Sequence, residues 1–290
     1  MDKRPKKTVF KTSRQSVSGE TKKFAAILIG CVLLVLTVSV LAILSKHGFD
    51  VKSALGGDAE TVTVEETTEE EIPGIQGSKT YLFWSADNEN DDLRFAWIVR
   101  FGMPDMTAEV CSLDLDLRIG GSSIRKIFAS YGAKTLVEEI EKAYGISVDG
   151  YIGSDDESFK SMINYFGGIS ITVPEQIEYK SSDLTVILVK GRQNIKGDTL
   201  FKYLRYLGTM GKRGRERQSA VMIEILDFVF SSSNLNRRGT IFSRVTNTLE
   251  TDLTIVDFTH AEESVKVIME NGFARKKTVE SPEMFAKTKD

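Results

Sequence analysis

Apolar side chains are distributed along this 290-residue chain in three regimes. Residues 24–44 form a run of 21 without a charge. At about 1.5 Å of rise per residue, a helix of that length reaches about 30 Å, the thickness of a bilayer's hydrocarbon core. Over residues 51–77 the apolar positions lose any period. The Gly56-Gly57 pair, a Thr/Glu run and Pro73 predict a solvated, self-repelling stalk there.

Beyond Lys79 the periods of regular structure take over. Residues 80–86, 94–101 and 108–119 read as strands, the last by two-residue alternation, with turns over 87–92 and at Pro104-Asp105. Leu136, Val137, Ile140 and Ala143 lie at helical spacing within 135–146, and Gly145 suits that helix's end. Ser154 with Glu157 predicts a capping box, then a helix, the Gly167-Gly168 turn and a strand over 169–173. A strand over 184–189 leads into a turn at Gly191, followed by helices over 199–207, 216–230, 234–248 and 257–270. Strands and helices mixed in this order predict an α/β layered domain over 78–272. Residues 273–290, rich in lysine and without period, read as a disordered tail.

Charge orients the apolar run. The formal net charge of -3 hides eight basic against two acidic side chains over residues 1–23, and eight acidic against one lysine over 50–72. A basic flank before the run and an acidic one after it place residues 1–23 in the cytoplasm, 24–44 across the cell membrane as a single-pass helix, and 45–77 outside as a stalk carrying the extracellular domain. The competing reading, a cleaved secretory signal, calls for a shorter apolar region of about 7 to 15 residues and a small-residue cleavage site. With only the 23-residue leader inside, nucleic acid is not an expected partner, whereas the membrane's anionic inner leaflet is. Cys31 in the run and Cys111 beyond it offer no disulfide, and His47, His260 and the lack of CxxC argue against zinc and against His-based acid-base catalysis.

One segment carries candidate chemistry. Between Lys190 and Gln218, nine lysines and arginines face only Asp198 and Glu216. Arginines clustered at turns and at the start of a helix suit phosphate or diphosphate, through paired hydrogen bonds and unpaired helix amides. A solvated charged face is the plain alternative.

The pattern Val-x-Gly-x-Gln-x3-Gly-x5-Tyr-Leu-Arg over 189–205, followed by Arg-x-Arg-Gln over 215–218, resembles the LytR-CpsA-Psr family of bacterial cell-envelope proteins. So do the block DGYIGSDDESFKSMINYFGGISITVPE at 149–175 and SYGA at 130–133. The resemblance implies a central mixed sheet flanked by helices around a hydrophobic pocket for a polyprenyl chain. It further implies magnesium-assisted transfer of a phosphoglycan from polyprenyl diphosphate to peptidoglycan or another wall acceptor. Asp87 stands where the family places its first acidic residue and carries over as a metal ligand, with Asp91 or Asp92 as substitutes for the second, whose place is taken by Arg94. Arg205, Arg215 and Arg217 carry over as catalytic cations, and Arg213 and Gln218 join them as diphosphate ligands.

The chain also departs from the family pattern. Family arginines fall on Leu113, Leu207 and Gly214. Losing one preorganised charge-stabilising donor commonly costs about 100- to 1000-fold in rate. The expected function is therefore a polyprenyl-(di)phosphate glycopolymer binder with weakened or lost phosphotransferase activity. The alternatives are an active magnesium-dependent phosphotransferase and, third, a transcriptional attenuator.

Overall fold

The segment Phe95-Ala96-Trp97-Ile98-Val99 is apolar at every position, a pattern that suits a strand covered on both faces. It lies in the middle of the central sheet. The computed structural model describes residues 74–286 apart from Asn88, Asn90 and Asp91. The expected cytoplasmic tail, membrane span and most of the stalk, and Asp91 with them, lie outside the described residues. Among the described residues, no helix is long and apolar enough to cross a membrane.

Strands β1 (Gly77–Ala86), β2 (Leu93–Met103) and β3 (Thr107–Ser112) form an antiparallel meander. The short strands β4 (Arg118–Ile119) and β5 (Ser122–Ser123) then lead into α1 (Ile124–Tyr144). This helix crosses over and delivers β6 (Gly150–Asp155) parallel to β1. Next come α2 (Asp156–Tyr165), β7 (Ile169–Val173), β8 (Ile177–Lys180), β9 (Thr185–Leu188) and β10 (Gly191–Ile195), with β7 paired to β10 and β8 to β9. The rest is mostly helical: α3 (Gly197–Gly208), α4 (Gly211–Val229), a 3-10 turn (Ser232–Arg237), α5 (Arg238–Thr248), the short strand β11 (Glu250–Thr251) and α6 (Ile255–Asn271). Strand β12 (Arg275–Thr278) closes a six-stranded mixed sheet of order β11-β6-β1-β2-β3-β12.

Alternation along the central strands builds two cores. Leu82, Ala96, Ile98 and Cys111 meet Ile127, Leu136 and Ile140 of α1 on one face. Phe95, Trp97, Val99 and Val110 meet Ile163 of α2, Leu204 of α3, Leu226 of α4 and Ile268 of α6 on the other. The result is an α-β-α layered domain.

Several boundaries differ from the sequence reading, each for a local reason. The strand expected over 108–119 ends at Ser112, and Leu113 and Leu115 turn into the core from a loop. Asp155, not Ser154, caps α2: its carboxylate accepts from Ser158 N at 2.6 Å, and Ser158 Oγ accepts from Asp155 N at 2.9 Å. Ser154 stays in β6, its hydroxyl on the Trp84 carbonyl at 3.2 Å. Helix α4 begins at Gly211 instead of 216, which makes most of the arginine cluster helical.

The disordered tail expected from residue 273 is instead structured through Phe285. Strand β12 pairs in parallel with β3, so four consecutive exposed residues are held by backbone hydrogen bonds that a side-chain pattern does not reveal. Phe285, only 4 % exposed, anchors the end in the α1-side core. The Arg100 guanidinium bonds its carbonyl at 2.9 Å and lies 5.1 Å from its ring centre.

Two measurements check this architecture. Phe285→Ala is expected to lower unfolding free energy by about 3 kcal/mol in urea titration, whereas a loose tail would give no change. Burial pushes the Cys111 thiol up to about 12, and its side chain is 1 % exposed. At pH 8 it is therefore protonated as well as hidden. Alkylation of Cys111, followed by peptide mass spectrometry, should run on the order of 100-fold slower in the folded protein than in denaturant.

Candidate functional site

Two concavities share a wall made of Trp84, Gly153 and Ser154. The first, of about 330 Å³, is an apolar hollow between the sheet and helices α2, α4, α5 and α6. Phe83, Trp97 and Phe101 form its sheet side, and Ile225, Phe242 and Val265 are among the helical side chains that close it. Its size lies within the range of about 300–1,000 Å³ usual for small-molecule sites, and its lining is apolar enough for a hydrocarbon chain. Ile75, the second described residue, also lines it, held there by its amide on Ser264 Oγ of α6 at 2.8 Å.

The second concavity, about 370 Å³, is polar and carries Asp87, Asp155, Ser158, Ser130 and Glu250. Two glycines make room for it. At Gly132 the backbone of α1 leaves helical geometry (φ 77, ψ -175), which kinks the helix where it borders this cleft. At Gly153 a Cβ would lie 2.0 Å from the Trp84 ring, so only glycine leaves room for the indole that borders both the cleft and the hollow.

Charge gathers where β1 ends and β2 begins. Arg94 Nη2 bonds Asp87, its Nη1 bonds Asp92 at 3.1 Å, and its Nε faces Asp156 Oδ1 at 3.8 Å, beyond hydrogen-bond reach. The Asp87 amide bonds the Asp92 carbonyl at 3.0 Å, which closes the loop. Arg125 of α1 takes the other oxygen of Asp92. Burial raises the Asp156 carboxyl above the usual range; Arg94 opposes that rise, Asp87 adds to it, and Lys160 and Arg205 oppose it more weakly.

The structure therefore brings together Asp87 and Asp92, with Arg94, Arg125 and Asp156 beside them. The other candidate residues are held elsewhere. Arg205 is bonded to Asp183 at 2.7 Å. Arg213 pairs with Glu175 at 3.0 Å and Arg215 with Asp114 at 3.1 Å. Arg217 bonds the Thr172 carbonyl, the Tyr203 hydroxyl at 3.2 Å and Glu224 at 3.1 Å. Gln218 is buried, accepting from Ser112 Oγ at 2.7 Å and donating to the Leu204 carbonyl at 2.9 Å, so its amide ties α4 to β3 and α3. Sequence reasoning missed Asp156 as a member of the charged group. The signal available was its place at the opening of a helix beside a strand end, which puts a carboxylate near other strand termini.

The magnesium ion implied by the family does not fit the residues present. Among the described residues, no group of three or more acidic, histidine or cysteine side chains is arranged to hold a metal ion. Asp87, Asp92 and Asp156 are turned to the Arg94 guanidinium instead. A hard cation needs a shell of free oxygens at about 2.0–2.1 Å.

The three positions that depart from the family's arginines are packed, not merely changed. Leu113 is 4 % and Leu207 3 % exposed, each within a core. A Cβ at Gly214 would lie 1.8 Å from the Leu207 carbonyl oxygen, so α3 and α4 touch backbone to backbone at that point.

Comparison with known proteins agrees with this geometry. A profile of the LytR_cpsA_psr family matches residues 88–285. The polyisoprenyl-teichoic acid–peptidoglycan teichoic acid transferase TagV of Bacillus subtilis is 27 % identical over 175 residues, 55 % of this chain and 44 % of that protein. The corresponding transferase TagU of Enterococcus faecalis is 24 % identical over 252 residues, 81 % of each chain. The chain spans about half the length of the Bacillus relatives it matches. Among solved structures, B. subtilis TagV superposes with a TM-score of 0.57 at 21 % identity, covering 71 % of this chain and 86 % of that one. TagT with bound octaprenyl pyrophosphate superposes at 0.52 and 18 % identity, covering 75 % and 82 %. Four sequence motifs in order, the mixed sheet with its apolar hollow and a profile match through Phe285 together place this chain in the LytR_cpsA_psr family.

Proposed function

We propose that this chain is a membrane-anchored protein of cell-envelope assembly that binds a polyprenyl-(di)phosphate-linked glycopolymer and has weak or no phosphotransferase activity of its own. The observation that carries the reading is the 330 Å³ apolar hollow beside a polar cleft, a pairing suited to a ligand with a hydrocarbon tail and a charged, sugar-bearing head. Relatives named as teichoic acid transferases, and the TagT structure with octaprenyl pyrophosphate in it, support the choice of ligand class. The apolar run over 24–44 supports the anchor, and the acidic stretch after it supports an extracellular domain that meets peptidoglycan or another wall acceptor.

The case against ordinary turnover rests on charge. Phosphoryl transfer from a diphosphate needs cations that converge on the breaking bond. Arg213, Arg215 and Arg217 are held in three separate ion pairs, and the positions of three family arginines are built into the packing. Arg205 is likewise held in an ion pair, with Asp183 at 2.7 Å.

Purified full-length chain in detergent, given magnesium and a polyprenyl-diphosphate glycan, is expected to bind saturably without releasing polyprenyl phosphate. Ala261→Trp, which fills the hollow from α6, should weaken that binding at least about tenfold. Release of lipid phosphate that Arg205→Ala abolishes would establish the transferase instead, and binding unchanged by Ala261→Trp would remove the lipid from the hollow. Restoring the family's residue by Gly214→Arg is expected to destabilise the fold by about 2 kcal/mol in urea titration, through the collision with the Leu207 carbonyl, and to restore no release.

A further inference from the structure

Carboxylates converging on one point normally mark a divalent cation. At the β1–β2 end of this sheet the cation on which Asp87, Asp92 and Asp156 converge belongs to the chain. Arg94 leaves β2 one residue after its start, and its planar head spreads across the three acids, bonded to Asp87 and Asp92 and 3.8 Å from Asp156. The Arg94 and Asp87 side chains are each only 20 % exposed, so the pair is shielded from bulk water.

Both oxygens of Asp87 and both of Asp92 are already engaged, whereas Asp156 Oδ1 faces Arg94 without a hydrogen bond. One Asp87 oxygen accepts from Arg94 and the other from the Glu89 amide at 2.7 Å. One Asp92 oxygen accepts from Arg94 at 3.1 Å and the other from Arg125. Arg94 is bonded to both Asp87 and Asp92, and Arg125 to Asp92, so two guanidinium groups are set against these acids at hydrogen-bond distance. Arginine does not deprotonate in proteins, so raising the pH does not remove this cation from the acids. A dication entering here would have to expel a guanidinium from a half-buried site and hold its own charge beside it.

We infer that Arg94 is a built-in counter-cation: it holds the acidic end of the cleft in the closed arrangement that a bound metal would otherwise impose, and the site takes no magnesium. The inference does not depend on the lipid reading, since it concerns only which cation the acids hold. Its consequence is a site whose shape and charge are indifferent to chelators and to the supply of divalent ions.

Manganese, a paramagnetic substitute for magnesium, supplies the test. Titration of the full-length chain in detergent, followed by electron paramagnetic resonance, is expected to show no saturable manganese site that depends on Asp87. Arg94→Ser and Arg94→Asp, which free the acids, should each create one such site at least about tenfold tighter than any in the unsubstituted chain, and adding Asp87→Asn should abolish it. Melting in EDTA would establish that each variant is folded. A saturable site in the unsubstituted chain that Asp87→Asn or Asp92→Asn removes would overturn the inference, and this measurement decides it even if the Arg94 variants fail to fold. Folded Arg94 variants that bind no manganese would overturn it as well, because the guanidinium would then not be what keeps the metal out.

Discussion

The organising constraint is that the middle of β1 and β2 is covered by hydrocarbon on both faces, so charge is admitted only outside residues 82–86 and 95–99. Along β1 and β2 the residues from Leu82 to Ala86 and from Phe95 to Val99 are apolar or small, and most are buried. Ionised groups at the β1–β2 end therefore sit beside a low-dielectric interior and must neutralise one another locally. Arg94 with Asp87, Asp92 and Asp156 is that local solution. It also fixes the loop that ends one strand and opens the next, and it lies beside the first turn of α2, which Asp155 caps and whose Phe159 and Ile163 line the hollow. The polar cleft and the apolar hollow are neighbours at one indole, Trp84, which borders both and fits against a residue with no side chain.

How much of this was legible in the sequence depends on which interaction sets each feature. Elements built by side-chain period were readable: β7 was expected over the residues it occupies, and α3, α5 and α6 fell within two or so residues at most ends, apart from the 3-10 turn that opens the α5 segment. Elements set by backbone pairing were not. Strand β6, Gly-Tyr-Ile-Gly-Ser-Asp, has glycines where a strand pattern wants branched residues, and it exists because β1 and β11 hold it from both sides. Strand β12 is exposed at every position and is equally invisible to a hydrophobic pattern. Of the site, the family resemblance picked out Asp87 and Asp92 but read Arg94 only as a missing acid. Position in a motif shows that a residue has changed; it does not show that the new side chain serves as partner to the acids that remain. The arginine cluster misled in the opposite sense: five of its nine cations lie on β10, α3 and their flanks, and the four on α4 are turned by about 100° per residue to different partners.

The two departures from the family pattern turn out to be one physical choice made twice. At the β1–β2 end, a guanidinium stands where the family pattern has a carboxylate and pairs with the acids that remain. At the α3–α4 contact, leucine and glycine stand where arginines would, and the two helices close until Gly214 meets the Leu207 carbonyl. That closure has a use beyond filling space. It seats the first half of α4 against α3 through Leu204, Leu207 and Gln218, and so fixes the second half, where Met222, Ile225, Leu226 and Val229 form one wall of the hollow. A pair of charged side chains at 207 and 214 would hold the helices apart and keep water between them, which favours handling a diphosphate over sealing a hydrocarbon pocket. Both substitutions therefore move the site the same way, from recruiting mobile charge toward a fixed shape. Fixed shape is what retention of a greasy ligand requires, and mobile charge is what its turnover requires, so the packing around Gly214 and the ion pairs of Arg94 are independent physical grounds for the same functional reading.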